Sequence, residues 1–409
     1  MHLVPVSVES IRVHQPLPFP LMDKNGVLLA KRSFIIDSRE DLAAMAQRGG
    51  GLYIDVADSE AHHRAYVESL HKLVRNNKSL GEIANAQITA DMLAVRDAQN
   101  NDRPDWLDLQ MQANTLLRDS NATQFMERLL RLNDRLNWLS RQNPDGTLFA
   151  LVHLSATELH MYSATHSMLV SVMCGLAARE VLKWSTERET QLSRAALTMN
   201  LGMTVLQDQL NRQIEAPTLI QRRVIDAHAA RSADVLAEMG VDDPVWLEAV
   251  VNHHTNVPGP LESRTPAQQI ARLIQRADMF AARLAPRTSR TPISPAAAMQ
   301  ACYFDENREV DEAGAALIKA VGIYQPGTFV RLATDEIAVV IKRGINTSTP
   351  RVAVLVSRSG MPTMEPTVRE TSTRDFRIVA SVPHRAVKVQ VNLERLLPLT
   401  AASASERPW

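Results

Sequence analysis

The chain has 409 residues, of which 45% are hydrophobic and 22% are charged, while aromatic residues make up only 4%. Its 45 basic and 45 acidic residues balance, which excludes the strong positive field typical of proteins that bind duplex DNA or anionic membranes. The length predicts two or three compact units, and the aliphatic composition favours a helix-rich globular protein.

Cysteine usage and the absence of long apolar runs bear on the compartment. Cys174 and Cys302 are the only cysteines, and both lie in apolar, helical-looking segments, so a disulfide framework is not expected. The chain begins MHLVPVSVES, which lacks the basic and apolar regions of a signal peptide, and no run of about 18 apolar residues follows. We therefore expect a cytoplasmic protein that does not span a membrane.

The N-terminal 60 residues predict a small α/β or β-rich module. A turn sequence at residues 23–26 is flanked by apolar residues, residues 33–36 favour a strand, and a triple glycine at 49–51 precedes a strand-like run at 52–54.

Residues 61–146 predict a helical linker. One stripe of large apolar residues recurs there at alternating spacings of four and three: Phe125, Leu129, Leu132, Leu136 and Leu139. The stripe fits one face of an ordinary packed helix. It also fits a signalling helix that pairs two protomers into a homodimer.

The turn-forming sequence Asn143-Pro144-Asp145-Gly146 predicts a turn before a helical domain over residues 147–322. Breaks are expected near 184–185, 216–217, 240–244, 257–260 and 291–295. A small β appendage is predicted over 323–400, with strands near 329–332, 337–341, 352–356, 376–380 and 387–391, before a disordered tail at 401–409. The fold class is therefore mainly α, with a small module at each end.

Several metal-binding residue types stand within the helical domain: His166, His228, His253, His254 and Asp278. Imidazole and carboxylate groups together suit iron, manganese, zinc or nickel. Their spacing alone also fits histidines that are ordinary core or surface groups.

The segments around these residues resemble the motifs of one family, in order and in spacing. They are the residues 162–167, the run AALTMNLGM at 195–203, Ala227-His228, Val251-Asn252-His253-His254, Ala277-Asp278 and the residues 324–332. Over roughly residues 147–345 the chain is similar to the HD-GYP family of bacterial cyclic di-GMP phosphodiesterases. The resemblance implies an HD-superfamily helical bundle in which His and Asp residues hold two or three metal ions, and a metal-bound hydroxide attacks phosphorus.

The sequence departs from the family pattern at the centre of the site. Met199-Asn200 stands where the family has its His-Asp dyad, and Met203 stands where a lysine usually follows. The resemblance implies that the missing aspartate bridges two metals, and a thioether and a neutral amide replace it poorly. The Gly-Tyr-Pro signature is also missing, so the sequence leaves open whether the chain is an enzyme.

Two sets of residues remain as candidates. His166, His228, His253, His254 and Asp278 hold one divalent metal (iron, manganese or another) in one interpretation, and in the other they hold none and persist as hydrogen-bonded core groups. Arg287 and Arg290 lie nine and twelve residues beyond Asp278, where the resemblance implies phosphate-binding groups. Arginine grips phosphate by paired hydrogen bonds, although a solvated basic loop also explains them.

Three functions follow from this pattern. The first is a signalling protein that binds cyclic di-GMP, a related nucleotide or a signalling protein partner with little or no hydrolysis. The second is a metal-dependent phosphohydrolase with residual activity. The third is a structural adaptor in which Met199 and Met203 fill the former metal cavity, as flexible methionine side chains do well. None of the three requires DNA or a membrane.

Overall fold

The computed structural model describes residues 3–6, 8, 11, 13–14, 17, 19–30, 34–55, 104–119, 124–157, 159–257, 259–284, 295–389 and 391–401. The chain divides into two compact units, Met1–Gln112 and Ala113–Trp409. Residues 61–103 of the predicted linker and residues 402–409 of the predicted tail lie outside the described residues.

Among its described residues up to 55, the first unit contains a small antiparallel sheet and a helix. The elements are β1 (Leu3–Pro5), β2 (Leu21–Met22), β3 (Leu28–Ala30), α1 (Arg39–Arg48) and β4 (Tyr53–Asp55), with strand order β1-β4-β2-β3. The predicted turn at residues 23–26 joins β2 to β3, because the Asp23 carboxylate accepts the backbone N–H of Asn25 and of Val27, each at 2.8 Å. Within the described residues the strand predicted at 33–36 is reduced to a single bridge at Ile35.

The second unit is mainly helical, and the division between the units falls within α2. The helices are α2 (Trp106–Arg118), α3 (Phe125–Gln142), α4 (Pro144–Thr157), α5 (Tyr162–Leu176), α6 (Thr186–Thr198), α7 (Thr204–Arg212), α8 (Leu219–Glu238), α9 (Pro244–Asn252), α10 (Pro266–Leu284), α11 (Pro295–Tyr303) and α12 (Glu312–Val321). The breaks predicted near 184–185, 216–217 and 240–244 fall between these helices, whereas residues 258 and 291–294 lie outside the described residues and the break at 199–203 has no such signal. The structure confirms the mainly α fold class.

Helix α5 is the centre of this bundle. All of its 15 residues are buried, as expected for a helix that is apolar all round. It packs against α4, α6, α7 and α10 and continues into a π-helical turn, Ala177–Leu182. A functional side chain on α5 is therefore held on every side.

The apolar stripe on α3 is one face of an ordinary packed helix. All five of its members, Phe125 to Leu139, are at most 5% exposed. The helix packs against α4, α5 and α6 of the same chain. This face is therefore covered within the chain, and the predicted homodimer stays a prediction.

The turn predicted at residues 143–146 is wrong, because α4 begins there. Pro144 occupies the first helical position, where its missing N–H is not needed. The Asn143 side chain accepts the backbone N–H of Gly146 at 2.9 Å, which caps the helix. Residues that form turns thus serve here as a helix start.

A five-stranded antiparallel sheet follows the helices. Its strands are β5 (Phe329–Leu332), β6 (Ile337–Lys342), β7 (Arg351–Val356), β8 (Pro362–Glu370) and β9 (Ile378–Val382), in the order β8-β7-β6-β5-β9. One face packs on Phe149 of α4 and on Leu396 of a last helix, α13 (Leu393–Thr400). The sequence missed β8 and α13, and the strand predicted at 387–391 is wrong, because residues 387–389 and 391 form no strand.

No helix among the described residues combines the length and the apolar character needed to cross a membrane.

Candidate metal centre

The site residues predicted from the sequence come from four helices of the bundle. They are His166 on α5, His228 on α8, His253 and His254 directly after α9, and Asp278 on α10. The structure brings them together as two adjoining groups, a cluster of three histidines and a histidine–aspartate pair.

The three-histidine cluster consists of His228, His253 and His254. Its candidate ligand atoms all lie within 4.8 Å of one another. The Nε2 atom of His228 lies 3.2 Å from Nε2 of His253 and 3.3 Å from Nε2 of His254. His228 and His253 are buried, whereas His254 is exposed, so the cluster is open on one side.

The tautomer of two of these rings follows from their backbone contacts. Nδ1 of His228 lies 2.5 Å from the carbonyl oxygen of Ile225, and Nδ1 of His253 lies 2.6 Å from that of Val250. A carbonyl oxygen only accepts, so each Nδ1 carries the hydrogen. In the neutral rings, Nε2 then presents a bare lone pair to the centre of the cluster.

Burial keeps both rings neutral. It lowers the pKa of His228, and it lowers the pKa of His253 to about 3, with a further contribution from the neighbouring His254. At neutral pH the Nε2 atoms of His228 and His253 therefore face each other without a proton between them. Two lone pairs at this distance repel each other unless a cation lies between them.

The cluster fits a divalent metal ion. A zinc–imidazole bond is about 2.0–2.1 Å long, so two nitrogens on one tetrahedral ion lie about 3.3–3.4 Å apart. The nitrogen separations of 3.2 and 3.3 Å match that spacing. The Nδ1–H to carbonyl contacts are also typical of metal-ligating histidines, because they fix ring orientation and tautomer.

The remaining pair, His166 and Asp278, is held together by a hydrogen bond. Nε2 of His166 donates to Oδ1 of Asp278 at 2.7 Å, and the hydroxyl of Tyr162 lies 3.3 Å from Nδ1 of His166. Both ring nitrogens therefore have partners inside the protein. His166 is thus engaged with the carboxylate and does not face the three-histidine cluster as a fourth nitrogen.

Asp278 lies beside the cluster as an ionised group. Burial alone would raise its pKa, but the hydrogen bond from His166 and the influence of the neighbouring histidines hold the pKa of Asp278 well below its usual range. Asp278 also interacts electrostatically with His228, His253 and His254. A negative charge consequently adjoins the place where a cation fits.

Met199 and Asn200 directly follow α6. They are 0% and 4% exposed. The short 3-10 turn that follows packs against α8, where the N–H of Gly202 donates to the Ser232 hydroxyl at 2.8 Å. A Cβ on Gly202 would lie 2.8 Å from the carbonyl oxygen of His228, so only glycine permits this close approach.

Two contacts that fix the helices carrying the histidines could not be predicted from the sequence. The indole N–H of Trp246 donates to the Thr198 hydroxyl at 3.0 Å and ties α9 to the end of α6. The Arg272 guanidinium donates to the side-chain oxygen of Asn256 at 3.3 Å. Neither pair has a local sequence signal, because its members are 48 and 16 residues apart.

The predicted phosphate-binding residues Arg287 and Arg290 lie outside the described residues. Their role stays a prediction from the sequence.

No protein-family model matches the sequence, and no curated protein matches it. Among solved structures, the chain is similar to one described as "Bd1817, a HDG"Y"P protein from Bdellovibrio bacteriovorus". The two chains share 13% sequence identity, the similarity covers 77% of this chain and 98% of that one, and the TM-score is 0.43. The description of that structure names the family that the motifs of this sequence resemble.

Proposed function

We propose that this chain is an HD-GYP-like signalling protein that holds one divalent metal in its three-histidine cluster and binds cyclic di-GMP with little or no hydrolysis. The observation that supports the proposal is that the site consists of two groups, the three-histidine cluster and the His166–Asp278 pair. Nitrogens of three histidines converge, and the Nε2 atoms of His228 and His253 are bare, while His166 and Asp278 are paired with each other. The nucleotide class comes from the motif resemblance.

His228, His253 and His254 would hold the metal. A bound divalent ion there supplies positive charge that neutralises a phosphoryl oxygen. The three neutral imidazoles add no negative charge, so the net charge of the loaded cluster stays positive and favours an anionic ligand. Arg287 and Arg290 remain the predicted contacts to the phosphates of that ligand.

Weak hydrolysis follows from the residues at the centre. Two metal ions close together repel each other unless an anionic ligand lies between them, and Asn200 is neutral. The Met199 thioether is a poor ligand for a hard cation, and the Nε2 atom of His166 already donates to Asp278. Because loss of one central electrostatic contact commonly costs a hundred- to thousandfold in rate, we expect hydrolysis at least about a thousandfold slower than in intact family members.

Two other functions have one observation each in their favour. Residual phosphohydrolase activity is favoured by the ionised Asp278 beside the cluster, since a carboxylate can accept a proton from an attacking water. A structural adaptor is favoured by Met199, which is 0% exposed and fills the interior at this point.

Metal analysis and nucleotide titration test the proposal. After incubation with Zn²⁺ and gel filtration, we expect about one ion per chain in the parent, because the nitrogen separations of 3.2 and 3.3 Å match those of zinc ligands. His253→Ala and His254→Ala should lose the ion during gel filtration, because the two imidazoles that remain bind zinc more weakly. His160→Ala is the matched control, because His160 is exposed and contacts Arg212 away from the cluster.

The outcomes separate the three functions. Metal with cyclic di-GMP binding and no turnover supports the proposal, and metal with ordinary turnover supports the enzyme. A folded parent that takes up no metal and binds no cyclic dinucleotide contradicts the proposal and leaves the adaptor.

A further inference from the structure

The three histidines of the cluster are anchored to different degrees. His228 and His253 each donate Nδ1–H to a carbonyl of their own helix. Among the described residues, no such acceptor contacts Nδ1 of His254. The other ring nitrogen of His254, Nε2, lies 3.3 Å from Nε2 of His228. The ring of His254 is exposed and follows the last residue of α9 by two positions, so the path of the next loop determines where it points.

A side-chain contact ties the start of that loop to α10. Asn256, two residues after His254, accepts a hydrogen bond from Nη1 of Arg272 at 3.3 Å. A turn precedes it, in which the N–H of Thr255 donates to the carbonyl of Asn252 at 2.8 Å. The backbone of His254 thus lies between a helix end and a fixed side chain.

Arg272 is itself held rigidly. It is 3% exposed and donates to Asp311 at 2.7 Å, to Glu306 at 3.0 Å and to Gln275 at 2.5 Å. The hydrogen bond from Arg272 lowers the pKa of Glu306 to about 2, so this carboxylate is ionised at neutral pH. A guanidinium fixed by two carboxylates has little freedom to follow a moving loop, and it can restrain that loop.

We propose that Asn256 and Arg272 are positioning residues that hold His254 in place as the third metal ligand. This inference rests on the metal site of the proposed function and names how its least anchored ligand is fixed. Residues that orient metal ligands without touching the metal commonly change metal affinity by about 10–100-fold. Asn256 orients His254 through the backbone, because the Asn256 side chain contacts Arg272 and not the imidazole.

The test measures Zn²⁺ affinity by competition with a chromophoric chelator. Asn256→Ala should weaken zinc binding about tenfold, with an unchanged melting temperature, because Asn256 lies in an exposed part of the loop. Asn256→Asp should restore the parent affinity to within about threefold, since a carboxylate accepts from Arg272 equally well. Thr255→Ala is the matched control in the same loop, because the Thr255 hydroxyl contacts Asn252 instead of Arg272.

A second pair of variants tests Arg272 without removing the buried charge. Arg272→Lys should weaken zinc binding as Asn256→Ala does, because lysine keeps the charge but loses the fork that reaches the loop. Arg276→Lys is its control, since Arg276 shares Glu306 and Asp311 with Arg272 and makes no contact with Asn256. Equal losses in the two variants would overturn the role of Arg272.

The link to His254 is tested by combining changes. In a His254→Ala background, Asn256→Ala should weaken zinc binding by less than about twofold further, because the ligand that it positions is already gone. A full tenfold loss in that background, or no loss in Asn256→Ala when the parent binds zinc, overturns this inference and leaves the proposed function intact. A parent that binds no zinc overturns both.

Discussion

Two uncharged side chains occupy the positions at which the HD-GYP motif has its His-Asp dyad. Met199 and Asn200 are both buried, and neither carries a charge. The carboxylate beside the three-histidine cluster, Asp278, accepts a hydrogen bond from His166. The His166–Asp278 half of the site therefore carries a negative charge, while in the other half the bare Nε2 atoms of His228 and His253 face each other.

Restoring the missing pair should restore a second metal position. In the double variant Met199→His and Asn200→Asp, we expect the metal content to rise above that of the parent, because an imidazole and a negative charge join the site. Binding of the second ion requires the hydrogen bond between His166 and Asp278 to break, so this ion should bind more weakly than the first. Elemental analysis of dialysed protein at graded Zn²⁺ concentrations measures both.

The control for that variant is Met199→Leu, which fills the same space without offering a ligand. It should leave the metal content unchanged. If the folded double variant holds no more metal than Met199→Leu does, the second position has been lost to packing.

At the level of elements, helix α5 is held at its start by a side chain from α7. The carboxylate of Asp208 accepts the backbone N–H of Ser163 at 2.7 Å and pairs with Arg118. Asp208 is 1% exposed. It satisfies one N–H in the first turn of the helix that carries His166, so the position of this histidine depends on α7.

Asp208→Ala should lower the free energy of unfolding by about 2–4 kcal/mol, because it removes a cap and a charge-assisted hydrogen bond from a buried position. Urea unfolding followed by circular dichroism measures the change. Asp119→Ala is the control, since Asp119 pairs with Arg128 at 3.6 Å and both side chains are at least 30% exposed. That change should cost less than about 1 kcal/mol, and an equal cost in the two variants would contradict the role given to Asp208.

At the level of the whole second unit, one arginine joins the sheet to the helices. Arg343 directly follows β6, and its guanidinium donates to Asp145 at 2.8 Å, to Glu180 at 2.9 Å and to the carbonyl of Ala320 at 2.5 Å. Burial alone would lower the pKa of Arg343, but Asp145 and Glu180 raise it. Three separate segments of the helical part therefore meet the sheet at one charged group.

Arg343→Ala should reduce the free energy of unfolding by about 3–5 kcal/mol, because it leaves the largely buried Asp145 without its counter-charge. Arg351→Ala is the matched control on the neighbouring strand, where the pair with Glu370 is more exposed. It should cost less than about 1 kcal/mol. Chemical unfolding of both variants at one salt concentration measures these losses in the free energy of unfolding. Similar losses in the two variants would contradict the role given to Arg343 in joining the sheet to the helices.

The sequence by itself determined the features that depend on neighbouring residues. Apolar periodicity and the placement of proline and glycine are local signals, and they indicated the helical character of the second unit, several of its breaks and the strand Phe329–Leu332. The order of the histidine motifs also selected the residues of the site. The pattern at residues 143–146 misled, because the same residues that form turns also start helices.

Only the tertiary structure decided which of those residues face one another. His166 and Asp278 are 112 residues apart, and the packing of α5 against α10 brings them into hydrogen-bond contact. The exposed His254 depends on Asn256 and Arg272, and the start of α5 depends on Asp208. Such contacts have no local signature, because they form only when helices distant in sequence are brought together by burial of their apolar faces.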